Sequence, residues 1–120
     1  MKHLSTIFIL CLVLGMASLG IGQELFGDPQ EGKSIYMHHC VNCHGKNGDG
    51  QGPDTKFLTV KPADFHSDES RSKTDWELMT TITFGVAFSP MHGWANRLNE
   101  QERWDVLSYI RLMAPFNPIT

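Results

Sequence analysis

The chain is short of the residues that mark the commonest classes of small protein. Three cysteines in 120 residues are too few for a disulfide-stapled scaffold. There is no basic excess: ten Lys and Arg stand against thirteen Asp and Glu, a net charge of −3, so nucleic acid is not an attractive partner. Long apolar runs are missing beyond a single one near the N-terminus, which argues against a multi-span membrane protein. No alternating pattern of strand type matches the strength of the helical ones, and no segment repeats. Nucleophile, base and paired carboxylates form no recognisable constellation, since Asp and Glu are scattered through loops, and an enzyme is not expected. At this length the chain makes one domain at most, with a thin core that an apolar cofactor would help to fill.

What is present is concentrated in Cys40-Val41-Asn42-Cys43-His44, followed at once by Gly45. Two thiols three positions apart, with a histidine directly after the second, form the attachment signature of a c-type haem. Each thiol adds across one vinyl group of the porphyrin, and the two-residue gap matches the distance between those vinyls. The adjacent imidazole is carried under the ring, where it can bind iron as an axial ligand. Other uses of the pair fit less well. A thioredoxin-like disulfide belongs on a βαβ unit, a structural zinc site needs a second pair of ligands, and a Cys40–Cys43 bond would close a small, strained ring. One covalently held haem c, with its iron, is the expected cofactor.

Residues 1–22 read as a targeting segment ahead of a haem domain spanning 23–120. Lys2 and His3 form a short polar start, Ile7 to Leu14 is unbroken and apolar, and Gly15 to Gly22 is rich in small residues, the order of a secretory signal peptide. Leu4 to Ile21 also reaches the lower limit for a span, so an uncleaved membrane anchor through residues 4–21 is the alternative. Cys11 lies behind the bulky Ile9-Leu10, a poor context for lipidation. Either way the domain is expected to be exported, periplasmic or held at the membrane. Losing residues 1–22 removes one Lys and no acidic residue, so the net charge falls from −3 to −4. Redox proteins with a basic patch are the expected partners, as electron donor and acceptor.

Helix signals occur three times. Asp28-Pro29-Gln30-Glu31 opens the first as a capping box with proline at its first position. Gly32, Ile35, Tyr36 and Cys40 then share a face, so this helix is expected to run into the motif and deliver both thiols. Thr74-Asp75-Trp76-Glu77 opens a second, turning Leu78, Met79 and Ile82 inward and ending at Gly85. Asn99 and Glu102 frame a third, to about Ala114, with Val106, Tyr109, Ile110 and Met113 on one stripe and Trp104 and Leu107 beside it. Gly45 to Gly52 reads as a loop whose glycines let the backbone hug the haem edge. It lacks the carboxylates of an EF-hand and the Lys-Ser/Thr ending of a phosphate loop. Pro53 is placed to offer its carbonyl to the outer nitrogen of His44, which would set the imidazole tautomer; an ordinary turn proline is the other reading. Ser67 to Lys73 reads as a solvated loop.

An iron that only passes electrons wants a sixth ligand, because an open position invites oxygen. Met91, in the loop Ser89-Pro90-Met91-His92-Gly93-Trp94, is the expected one. Met37, Met79 and Met113 fall on expected helices, where methionine is more often core filler. His92 is the serious rival, His66 a distant third, and His38 and His39 lie on the proximal side.

Together these residues resemble the class I cytochrome c family in its small bacterial form, from about Asp28 to Ala114. The resemblance is carried by Cys40 to Gly45 with the glycine-rich loop and Pro53, by Lys61-Pro62-Ala63-Asp64-Phe65, by Ser89-Pro90-Met91, and by Trp104 to Arg111. It implies an all-α cytochrome c fold, about three main helices around one covalent haem. First and last helices would cross, Gly32 and Tyr36 meeting Val106 and Tyr109. It implies Cys40 and Cys43 as thioether sites, His44 and Met91 as axial ligands, and electron carriage as the task. His92 directly after Met91 is a departure that leaves ligand exchange open, and Trp94 could reach a haem propionate or simply pack. The expected function is a periplasmic electron carrier. The alternative is a haem c subunit of a larger membrane-bound respiratory complex. A five-coordinate enzyme or gas sensor would require that Met91 does not bind.

Overall fold

The computed structural model describes residues 25–118, and the expected signal peptide or anchor lies outside them. Among the described residues the protein is helical, without strands. Its elements are α1 (Pro29–His39), α2 (Val41–His44), a 3-10 turn (Pro53–Phe57), α3 (Asp68–Arg71), α4 (Asp75–Phe84) and α5 (Glu100–Met113). Three of them, α1, α4 and α5, are long enough to build a core.

The caps place these helices. At α4 the Thr74 hydroxyl accepts from the Glu77 N–H, and the Glu77 carboxylate accepts from the Thr74 N–H at 2.7 Å. Asn99 and Glu102 do the same for α5. The first helix departs from the expectation. Asp28 caps it by accepting from the Gln30 N–H at 2.8 Å, but the Asp28 N–H donates to Asp105 Oδ1, also at 2.8 Å, instead of to Glu31. A contact 77 residues away replaces the local one and ties the start of α1 to α5. The stretch expected as a solvated loop holds the single turn α3, capped by the Ser67 hydroxyl, with Ser70 buried. One turn is too short for periodicity to betray it.

α1 and α5 cross at Gly32, where a Cβ would run into the backbone of Asp105 and Val106. Only a residue without a side chain allows that approach. One turn further on, Tyr36 is completely buried, its ring 5.3 Å from Tyr109 and 6.5 Å from Phe65. Val106 and Leu107 are buried beside it, each contributing roughly 1.5–3 kcal/mol. Met79 and Ile82 join α4 to this core. So does an ion pair: Arg111, 3% exposed, donates from Nε to Asp75 Oδ1 at 2.6 Å and from Nη2 to the Lys73 carbonyl. Removing one partner of such a pair costs about 3–5 kcal/mol, because the other charge stays behind.

Candidate functional site

Cys40, Cys43 and His44 are not delivered by one helix. α1 stops at His39, Cys40 is the junction, and Cys43 and His44 ride on the separate turn α2. The loop after it is wound against that turn. Gly50 N–H donates to the His44 carbonyl at 2.9 Å and Gly52 N–H to the Cys43 carbonyl at 3.1 Å. Gly45, Gly48 and Gly50 take positive φ, and a Cβ on Gly52 would strike the Asn42 carbonyl. The glycines therefore let the loop grip the motif's own backbone. Tyr36 completes the clamp, its hydroxyl donating to the Gly45 carbonyl at 2.6 Å.

These residues face an apolar cavity of about 620 Å³, within the range of small-molecule and cofactor sites. Both cysteines, which form no disulfide, line it with His44 and Met91, and Leu78, Ile82, Val106 and Ile110 are among the apolar walls. Burial first, then the neighbouring Cys43, pushes the Cys40 thiol up to about 12; burial also raises Cys43, with Asp54 adding. Burial pushes the His44 imidazole below its usual range, the Ala63 backbone opposing in part. It is therefore neutral, the form that binds metal. The His44 ring stacks on Phe65 with centroids 4.7 Å apart and planes at 19°. Its Nδ1 is buried without a hydrogen-bond partner, a costly arrangement unless a group in the cavity or a rearranged backbone meets it.

Pro53 does not supply that partner. It opens the 3-10 turn and is exposed, and its carbonyl accepts nothing from His44. Met91 is half-buried against the core cluster. The loop Val86–Met91 holds it: Val86 N–H donates to the Met91 carbonyl at 2.8 Å, and Met91 N–H to the Ser89 hydroxyl at 3.2 Å. His92 also reaches the cavity but is exposed, with Nδ1 3.0 Å from the Gly93 carbonyl and its ring 4.5 Å from Trp94. His66 points elsewhere, its Nε2 2.7 Å from the Asn47 carbonyl. Met79 and Met113 fill the core as expected, whereas Met37 is 40% exposed on α1. Trp94 is buried between His39 and His92, with the Arg97 guanidinium over its ring. Two positioning residues were not foreseen as such: Phe65, which stacks on His44, and Tyr36, which holds the end of the turn that carries it. Phe65 lies in a noted motif, but only the folded chain puts its ring on His44.

Two thiols, a neutral imidazole and a thioether around an apolar cavity suit a covalent haem. The family model for cytochrome c matches residues 29–114. The chain belongs to the cytochrome c family. This cytochrome thus carries covalent haem c with its iron. Among solved structures it is similar to a chain of the reducing HAO-like protein complex Kustc0457/Kustc0458 of Kuenenia stuttgartiensis. The TM-score is 0.65 at 28% identity, over 72% of this chain and 43% of that one. The cytochrome therefore spans less than half of that chain's length. It is also similar to KustC0563, a c-type cytochrome, with a TM-score of 0.56 at 24% identity over 69% of this chain and 96% of that one. This second likeness bears on the fold alone. No curated protein matches the chain.

Proposed function

We propose that this cytochrome c is a periplasmic electron carrier, and not itself an enzyme. Cys40 and Cys43 hold its haem through thioethers, and His44 and Met91 are the axial ligands. The observation that carries this reading is the meeting of all four side chains on one apolar cavity. Haem supplies a one-electron change at iron. The protein's part is to keep His44 neutral and oriented, to hold Met91 on a hydrogen-bonded loop, and to keep water away with the apolar wall. A thioether is a softer ligand than imidazole and favours the ferrous state, so this ligation raises the reduction potential. Residues 1–22 act as the export signal. Among the described residues no helix is long and apolar enough to cross a membrane.

The likeness to a chain of a protein complex favours a second reading, in which the domain serves as a haem c subunit of a larger redox assembly. Co-fractionation separates the two: a carrier migrates alone after export, whereas a subunit stays with its partners.

The decisive measurement is the absorption spectrum of the exported protein, oxidised and reduced, with carbon monoxide added last. Covalent haem with a far-red methionine-to-ferric-iron band and no response to the gas is expected. Met91→Ala should abolish that band, open the iron to carbon monoxide and lower the potential. His92→Ala should leave all three unchanged. The opposite pattern makes His92 the ligand, and an open iron in the unaltered protein returns the reading to an enzyme or sensor.

A further inference from the structure

Three large apolar side chains stand in solvent at the end of α4 and on the loop beyond it. Phe84 is 78% exposed, Val86 49%, and Phe88 is fully exposed. Trp76, also exposed at the start of α4, is not one of them, since its ring packs edge-on against Trp104 at 5.1 Å. Phe84 leads through Gly85 into the loop that carries Met91, and Phe88 stands at its tip. From Phe84 to Asn96 the chain has no Lys, Arg, Asp or Glu.

Phe88 adopts φ +59°, a conformation that a bulky side chain rarely takes because Cβ crowds the backbone. The loop holds it there through the bonds from Val86 to Met91 and from the Ser89 N–H to the Val86 carbonyl at 3.3 Å. Two aromatic rings of roughly 150–250 Å² each, mostly bare, together with Val86 present on the order of 400 Å² of apolar surface. That is the size of the largest patch a monomer leaves uncovered, which is often functional. It falls short of the roughly 800 Å² per side in a stable complex, and it fits the smaller contacts of transient redox encounters. The surface also borders the cofactor, since Val86, Ser89 and Pro90 line the cavity.

We propose that Phe84, Val86 and Phe88 form the docking face for a redox protein whose own docking surface is apolar and uncharged, with Phe88 as the anchor. The proposal rests on the electron-carrier reading. The size of the surface argues against a second copy of this chain, and its lack of charge argues against a partner chosen by electrostatic steering.

Film voltammetry of the haem-loaded protein tests this, with gold electrodes bearing methyl-, carboxylate- or ammonium-terminated monolayers as probes. The unaltered protein should adsorb and exchange electrons fastest on the methyl surface, with little dependence on salt. Phe88→Ser and the double variant Phe84→Ser/Phe88→Ser should lose about tenfold or more in rate or coverage there, the scale of an anchor's truncation. Their absorption spectra, potentials and exchange with a small soluble mediator should stay unchanged, which separates docking from folding. Undiminished exchange by the double variant would overturn the docking face, and so would a salt-sensitive preference for a charged monolayer. A concentration-dependent dimer abolished by the same substitutions would hand the surface to a second copy. Adsorption to phosphatidylcholine vesicles lost in the variants would hand it to lipid. Absence of any redox wave, even with the soluble mediator, would remove the carrier reading itself and the docking face with it.

Discussion

Gly32 decides the helix crossing by what it lacks. An alanine in the middle of a helix ordinarily stabilises it by about 0.5–1 kcal/mol relative to glycine. Here the added Cβ meets backbone of Asp105 and Val106, which cannot swing aside as a side chain would. Gly32→Ala should therefore destabilise the haem-loaded protein by about 1–3 kcal/mol, as overpacking does, read as a lower denaturant midpoint with the absorption spectrum preserved. A rise in the midpoint would show that the helices do not touch there. At this scale the sequence was legible where chemistry demands fixed spacing: Cys40, Cys43 and His44 are named by the motif itself. Pro53 was not legible, because an acceptor for His44 depends on where a carbonyl points, and residue type says nothing about that. Phe65 was missed as a positioning residue for the same reason, since its ring meets a histidine 21 positions earlier.

Helix starts were the most legible elements, because a capping box is a local device written in four consecutive residues. Thr74 with Glu77 and Asn99 with Glu102 form as their spacing predicts. Asp28 with Glu31 has the same pattern and forms only half of it, since Asp105 takes the free N–H. A tertiary partner outcompeted the local one. The box at α4 also titrates. Hydrogen bonds from the Thr74 N–H, and then from its hydroxyl, hold the Glu77 carboxyl below its ordinary value of 4.5. A group with a depressed folded pKa adds stability above its unfolded pKa and loses it as pH falls through the folded one. Glu77→Gln should thus lower stability near pH 6, and its difference from the unaltered protein should shrink as pH drops below 4.5. Paired denaturation series at pH 6, 4.5 and 3.5 would measure this, and a constant gap would exclude the carboxylate as its source. Thr74→Ala, which removes the other half, should cost about 1 kcal/mol near pH 6 and less once Glu77 is protonated. The break between α1 and α2 was hidden for the opposite reason. Helical spacing continues through Cys40, and only the dihedral angles there interrupt the hydrogen bonding.

For the molecule as a whole the cavity matters more than any contact. Helices at both ends were legible in the sequence because the apolar stripes of α1 and α5 are regular, and their crossing was what the resemblance to the cytochrome c family implied. The hollow between α2, α4, α5 and the Met91 loop was legible only as a thin core, since sequence patterning reports which side chains turn inward and not the space left among them. Leaving apolar walls to water is expensive, since each Å² of apolar surface kept out of a core forgoes about 25 cal/mol, and Leu78, Ile82, Val106 and Ile110 are among the side chains that line this cavity. Domains have only about 5–15 kcal/mol of net stability. The described arrangement is therefore one that the chain holds with haem in place. The double variant Cys40→Ala/Cys43→Ala, or the chain made in a host unable to attach haem, should lack a cooperative thermal transition. It should also show weaker far-ultraviolet helicity and little dispersion in its proton spectrum. Supplying free haem to the double variant should restore part of the helicity, because His44 and Met91 still line the cavity. A haem-free chain that melts cooperatively with full helicity would mean that the walls close on themselves. In that case the apolar lining, and not the cofactor, would organise the fold.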